Sequence, residues 1–317
     1  MTRHLGTIAA IAAATFGFGG GAAAQAYPER TVELVVPSTP GSSADILGRV
    51  LADSLSAQLG QRFIVLNKPG AGGVIGTASV AQAKPDGYTL MHAAAVSITV
   101  APLTERQAGY THKSFEAICQ TFKNDQVIVA RPNTYNSVAD LIAASKAKPG
   151  GLNYGSPGLG TIPHLAMAEL SQITKIEFNH VPFKGPAESI QMTHGGQIDF
   201  AVAPLTAAAN SGLAMPGLFA AKRNRSIPNV PTVKEQGFDV APLSIGGLVA
   251  PAGLPAEAKR KLDAACQTAI QSEAFMKIAK NTLQPEDFSG DSASFGANLE
   301  RDVADKRRLL TALGMVK

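Results

Sequence analysis

Three stretches of this sequence gather residue types able to hold an anion. They are Val36-Pro37-Ser38-Thr39-Pro40-Gly41-Ser42-Ser43-Ala44-Asp45, Asn67-Lys68-Pro69-Gly70-Ala71-Gly72-Gly73-Val74-Ile75-Gly76-Thr77 and Asn153-Tyr154-Gly155-Ser156-Pro157-Gly158-Leu159-Gly160-Thr161-Ile162-Pro163-His164. Each passes from a short strand-like run through glycines and hydroxyls into helical spacing. Glycine lets backbone come close to a guest, and the first N–H groups of a helix have no partner inside it, so such a junction attracts a carboxylate or similar anion. Ser42 and Asp45 have the spacing of a capping box. Candidate contacts are Ser38, Thr39, Ser42, Ser43, Asp45, Gly72, Gly73, Thr77, Ser156, Gly158 and Thr161. Any one junction reads equally well as an ordinary turn between strand and helix; three of one design favour a site.

The same residues do not assemble a catalytic set. Gly70-Ala71-Gly72 with Gly76 superficially matches a dinucleotide loop. However, Leu90-Met91-His92 stands where an acidic residue would hold the ribose, and Pro69 interrupts the junction. Ser156 has Tyr154, not glycine, two residues before it, so no nucleophile elbow forms. His92, His112, His164, His180 and His194 contain no His-x-x-x-His pair, the spacing of a helical metal site. Each reads as a surface or hydrogen-bonded histidine, and only His164 stands at a candidate site. No catalytic residue, metal or cofactor is expected.

The elements that must position these loops alternate strand and helix, the mark of βαβ units and mainly parallel sheets. Strands are expected at 31–36, 62–66, 88–92, 127–130, 152–154, 177–181, 198–203, 217–220 and 245–250. Ile46, Leu47, Val50, Leu51, Leu55 and Leu59 form one amphipathic helical face, and further helices fit 74–83, 138–146, 163–173, 256–271 and 292–313. Arg131-Pro132 and the run Pro251 to Pro255 follow strands and mark candidate crossings between lobes. Two lobes result: 27–126 with 249–317, and 127–248. The first two junctions then belong to one lobe and the third to the other, gripping a guest from both sides.

Residues 1–26 carry Arg3 and His4, an apolar run from Leu5 to Phe18, and small residues ending Ala24-Gln25-Ala26. That is the order of an export signal, so the mature chain is expected to begin near Tyr27 in an exported, periplasmic compartment. No later stretch has the ~18 apolar residues of a membrane helix. The remaining chain exceeds what one core usually serves, which suggests two domains. The net charge of +4 is scattered, unlike the basic face of a nucleic-acid binder, so no nucleic-acid partner is expected. Cys119 and Cys266 have two open readings, a bridge or two separate buried thiols.

The loops also resemble those of a known family, the Bug-type receptors of tripartite tricarboxylate transporters. The likeness rests on Leu34-Val35-Val36-Pro37, Pro40-Gly41, Asp45-Ile46, Asn67-Lys68-Pro69-Gly70-Ala71-Gly72-Gly73 and Lys84-Pro85-Asp86-Gly87-Tyr88-Thr89-Leu90. It continues through Leu152-Asn153-Tyr154-Gly155-Ser156, His180-Val181-Pro182-Phe183-Lys184-Gly185, Gly195-Gly196-Gln197 and Val230-Pro231-Thr232-Val233, in order along nearly the whole mature chain. It implies an α/β, two-lobed type II periplasmic binding fold closing on a carboxylated metabolite. It also implies delivery of the ligand to membrane permease subunits, or in some members service to a sensor kinase; a monomer is expected. The family's carboxylate loops match Ser38 to Asp45 and Gly70 to Thr77, and the opposing loop matches Ser156 to Thr161.

Departures from the pattern point one way. Ala93-Ala94-Ala95 stands where hydroxyls are common, Ala203-Pro204 where an aspartate often follows, and Phe219-Ala220 in place of a Thr-Ser pair. Ala94, Ala203 and Phe219 therefore join the expected ligand contacts. Burying an unpaired hydroxyl or ammonium costs about 1–3 kcal/mol, so the expected ligand is a carboxylate with an apolar or aromatic body. A ligand sensor for a signalling partner and, behind it, a secreted enzyme are the alternative functions.

Overall fold

The computed structural model describes residues 27–317; the expected export signal lies outside the described residues. Ten strands form two five-stranded sheets. The first holds β1 (Val32–Val36), β2 (Phe63–Asn67), β3 (Thr89–Ala94), β4 (Phe115–Lys123) and β10 (Ile245–Pro251) in the order β2-β1-β3-β10-β4. The second holds β5 (Gln126–Ala130), β6 (Leu152–Ser156), β7 (Phe178–Pro182), β8 (Phe200–Pro204) and β9 (Ala214–Phe219) in the order β7-β6-β8-β5-β9. The helices in chain order are α1 (Ser43–Leu59), α2 (Val74–Ala81), α3 (Val96–Thr99), α4 (Ala101–Thr104), α5 (Val138–Ala147), α6 (Ile162–Thr174), α7 (Pro186–His194), α8 (Leu205–Ala208), α9 (Ala256–Ile270), α10 (Glu273–Asn281) and α11 (Ser292–Ala312).

The sheets are mixed, not mainly parallel. β2, β1 and β3 pair in parallel, as do β7, β6 and β8, but β10 is antiparallel to β3 and β4, and β5 to β8 and β9. The opposed strands are those that receive the chain from the other sheet. Only Asn124 and Asp125 separate β4 from β5, so β5 starts where its neighbours end, with Gln126 opposite Pro204 and Phe219. Likewise Gly246, at the start of β10, faces Ala94 at the end of β3. The crossings therefore lie at the starts of β5 and β10. Arg131-Pro132 and Pro251 to Pro255 follow the far ends of these strands and connect to helices on the same side. Gln126 accordingly pairs in the second sheet and Ile245 to Leu248 in the first, a few residues from the expected boundaries.

Local sequence explains the elements that carry the loops. Val32, Leu34, Val35 and Val36 are fully buried in β1, as expected of an interior strand covered on both faces. In α1, Leu47, Leu51 and Leu55 form the buried stripe, each contributing about 2 kcal/mol on burial. Ser42 caps its start by accepting the Asp45 amide, and Gly60 ends it at φ 70°. β4 is the strand that the sequence does not announce, because Gln120 and Thr121 stand in its interior. Both are buried with hydrogen bonds: Gln120 Nε2 donates to the Phe288 carbonyl, and Thr121 Oγ1 meets His92 Nε2.

The structure decides the open question of the cysteines. Cys119 of β4 and Cys266 of α9 form a disulfide with Cα atoms 6.5 Å apart, in the core of the first sheet. A separate apolar cluster bridges the two halves, with Leu165 of α6 packed among Val100, Leu103, Leu309 and Leu310. No described helix is long and apolar enough to cross a membrane.

Candidate functional site

Because β1, β3, β6 and β8 all end beside the crossings, the loops that follow them gather on one edge of each sheet. The β1–α1 loop is fastened by Asp45, which is only 3% exposed. Its carboxylate accepts the Gly41 amide at 2.9 Å, Arg49 Nε at 3.2 Å and Asn67 Nδ2 at 2.9 Å, and Arg49 makes a second contact at 2.9 Å. Asn67 Nδ2 also donates to the Ser38 carbonyl. Burial alone would raise the Asp45 pKa, but the hydrogen bonds from Arg49, Gly41 and Asn67 outweigh it and hold the group ionised below its usual range.

One layer beneath, His92 is fully buried, with Nδ1 2.8 Å from the Ala44 carbonyl and Nε2 2.7 Å from Thr121 Oγ1. A carbonyl only accepts, so Nδ1 carries the proton. Desolvation pushes the His92 pKa down to about 4.

These fastenings consume the Gly41, Ser42, Asp45 and Gly73 amides internally. The amides of Ser43, Ala44 and Gly72 have no acceptor among the described residues. All three residues line a cavity of about 250 Å³ together with Ser38, Ser42, Ala94, Ser97, Phe122 and Asn124. No Asp, Glu, Lys, Arg or His lines it. The Asn124 carboxamide makes no hydrogen bond among the described residues; its Oδ1, an acceptor, is buried without a partner, and Nδ2 is the only donor it offers an anion. Buried amides of this kind ordinarily find a partner. The donor set suits an anion held by N–H and O–H groups with no cation.

The β6–α6 loop is fastened by uncharged groups. Ser156 Oγ meets His180 Nε2 at 2.7 Å and accepts the Gly158 amide at 3.2 Å; Thr161 Oγ1 donates to the Gly158 carbonyl at 2.7 Å; His164 Nδ1 accepts the Gly160 amide at 3.1 Å. His164 stacks on His180 with centroids 4.3 Å apart, His180 on Tyr154 at 4.9 Å, and Tyr154 on Phe200 at 5.7 Å. Desolvation, then the neighbouring His164, lowers the His180 pKa to about 4, and desolvation lowers His164. Thr161 Oγ1 donates to Gly158 and accepts no cap hydrogen bond from the α6 amides.

Across the gap, Leu159, Gly160 and Thr161 line one cavity of about 570 Å³ with Ala71 and Gly72. Loops from the two sheets thus face a shared space. Another cavity, about 670 Å³, lies away from them between α11 and the crossings; five acidic residues against three basic ones line it, including the buried Asp302–Lys306 pair. That surplus of negative charge does not suit an anion.

Of the residues singled out by sequence, Ser38, Ser42, Ser43, Gly72 and Ala94 come together in the smaller cavity, and Thr161 faces Gly72 in the adjoining one. Asp45, Gly73, Ser156 and Gly158 shape loops and line neither. Thr39 is exposed and lines neither. Thr77, Ala203 and Phe219 are buried away from both cavities, the latter two in the packing of the second sheet. Ser97, Phe122 and Asn124 escaped the sequence reading. Only Asn124 carried a signal, as part of the polar break Lys123-Asn124-Asp125 between two apolar runs.

Comparison with known proteins identifies the family and the fold. The family model described as tripartite tricarboxylate transporter family receptor matches residues 47–315. Protein BugT of Bordetella pertussis is 34% identical over 250 residues, 75% of each chain. A TctC solute-binding protein from Polaromonas, solved without ligand, superposes with a TM-score of 0.80 at 29% identity, covering 90% of this chain and 99% of its own. A protein of R. palustris solved with adipate superposes at 0.76 with 26% identity, covering 92% and 99%.

Proposed function

The chain belongs to the tripartite tricarboxylate transporter receptor family, and from that premise we propose that it is a periplasmic receptor for a small carboxylate. One lobe is built on each sheet, with the crossings at the starts of β5 and β10 as the hinge. Closure sandwiches the ligand, and the closed form delivers it to the membrane permease of a tripartite tricarboxylate-type transporter. The carrying observation is the small uncharged cavity, where the free amides of Ser43, Ala44 and Gly72 sit beside the Ser38 and Ser42 hydroxyls. The adipate held by the R. palustris relative is in keeping with this chemistry.

A receptor of this kind must touch its ligand from both lobes, since a guest bound equally by open and closed forms shifts nothing. The second lobe's contribution is the start of α6, where the Ile162 and His164 amides have no acceptor among the described residues and Thr161 faces Gly72. Specificity follows from what the smaller cavity lacks. Pro37, Ala44, Ala93, Ala94, Val96 and Phe122 supply apolar wall, and no carboxylate is available to pair an ammonium. An apolar or aromatic carboxylate is therefore preferred over an amino acid.

Thermal shift against a panel of carboxylates tests this, because a ligand that binds only the folded state raises its melting temperature. Aliphatic or aromatic acids should stabilise the protein more than aspartate or citrate. Tighter binding of aspartate or citrate would refute the specificity, and no stabilisation by any carboxylate would refute the receptor reading.

A further inference from the structure

We propose that the body of the ligand runs out of the small cavity past Gly72 and Val96 into the adjoining one, where Leu159 and Met315 set the chain length accepted. This inference rests on the receptor reading above.

Three observations carry it. First, Gly72 and Val96 line both cavities, so the spaces adjoin along these two residues. Gly72 sits at φ +64°, and a Cβ built there would meet no atom within 4 Å, so the passage beside it is open. Second, Leu159 is 64% exposed although it stands in a fastened loop between Gly158 at φ +130° and Gly160 at φ +71°. A leucine held out to solvent beside a cleft gains most of its burial energy only when something apolar covers it. Third, Met315, just after α11, packs against Val100 and beside Gly160 and lines the same cavity as Gly72. An unbranched thioether adapts its shape to a variable guest.

On the α3–α4 side the far cavity is lined by Val96, Val100 and Ala101, with Thr104 as the one polar residue. Its two charged residues, Glu105 and Lys317, are exposed and of opposite sign, so no net charge awaits a second carboxylate. The ligand class is a monocarboxylate with an extended apolar body, its head on the Ser43, Ala44 and Gly72 amides and its tail between Leu159 and Met315.

Isothermal titration of the mature protein with butyrate, hexanoate and octanoate tests the proposal, with adipate as a further probe. Affinity should rise about fourfold per added methylene while the tail stays within the cavity. Leu159→Asn should cut that gain per methylene at least in half, and Met315→Ala should shift the best length upward. Because Leu159 is exposed, its substitution leaves the core intact, and circular dichroism confirms the fold of each variant. A flat series in the unmodified protein, or variants that weaken all lengths equally, would overturn the proposal. Adipate bound with no monocarboxylate bound would overturn it while leaving the receptor reading standing. No carboxylate bound at all would overturn both.

Discussion

The two lobes solve one problem with opposite chemistry. Each must hold a glycine-rich loop so that the amides at a helix start face the gap. The first lobe does it with charge: Asp45 gathers the Gly41 amide, Arg49 and Asn67, and a disulfide pins β4 to α9 behind it. The second does it without charge, through Ser156, Thr161 and a stacked pair of histidines that must stay neutral. The loops are similar in sequence, yet their supports fail under different conditions. Reductant is expected to weaken only the first, and acid the second more directly.

The largest effect expected from this contrast is loss of the disulfide. Cys119 and Cys266 are 147 positions apart, and bridging a loop that long stabilises by about 2–5 kcal/mol. The double change Cys119→Ser with Cys266→Ser should lower the denaturation midpoint accordingly. Hydrogen exchange should show protection lost chiefly in the first sheet; equal loss in both sheets would mean that the lobes do not melt separately. Next comes Asp45→Ala, which leaves Arg49 without its partner and the Gly41 amide without an acceptor. A cost of about 2–3 kcal/mol is expected, as for hydrogen bonds to a buried charged group, with a loss of ligand affinity of tenfold or more. Unchanged affinity would show that the Ser43 and Ala44 amides are positioned without it.

How much of this was legible beforehand follows the same divide. Apolar alternation and glycine placement disclosed nine strands and the three loops, because both are local signals. β4 was missed since Gln120 and Thr121 are polar residues whose burial is compensated by partners far along the chain, at Phe288 and His92. The lobe boundaries expected at 126/127 and 248/249 lie within a few residues of the changes of sheet, but Arg131-Pro132 and Pro251 to Pro255 do not mark them, because such turns fit either end of a strand and only the pairing of β5 and β10 shows which end meets the other sheet. Asp45, expected among the ligand contacts, directs its carboxylate to the loop itself. Thr77, Ala203 and Phe219 lie on buried faces, which family position alone could not reveal. The histidine stack was invisible, since His164 and His180 meet only through the packing of α6 on β7.

The third expectation concerns acid. His92, His164 and His180 all have pKa values lowered in the fold, by burial first. A group so shifted contributes stability that is fully present above its unfolded value near 6.5 and is lost as pH falls toward its folded value, about 4 for His92 and His180. The three do not fail alike. His92 donates from Nδ1 to the Ala44 carbonyl, a bond that survives protonation. His164 accepts the Gly160 amide on Nδ1, and a proton there removes the acceptor. Acidification from pH 7 to 5 should therefore loosen the second loop first. Hydrogen exchange of the Gly160 amide should accelerate before that of residues around Ala44, with ligand affinity falling in parallel. The reverse order would show that the stack does not support the loop.

The smallest effect separates the shared floor of the cleft from either lobe's fastening. Asn124 stands at the crossing into β5, belongs to neither loop and leaves its carboxamide unpaired beside the free amides. If that group donates to the bound carboxylate, Asn124→Asp replaces a donor with a like charge at close range and should weaken binding about tenfold, or ~1.4 kcal/mol. Asn124→Ala removes the donor without adding charge and should cost only a few-fold. Neither change should lower the melting temperature of the ligand-free protein much, because no internal hydrogen bond is lost. The loss from Asn124→Asp should shrink as pH falls and the introduced carboxyl takes up a proton, well before Asp45 does, since Arg49 keeps the latter ionised. Titration calorimetry between pH 7 and 5 reads this directly. A loss equal to that of Asn124→Ala at every pH would place the ligand's carboxylate away from the hinge, on the loop amides alone.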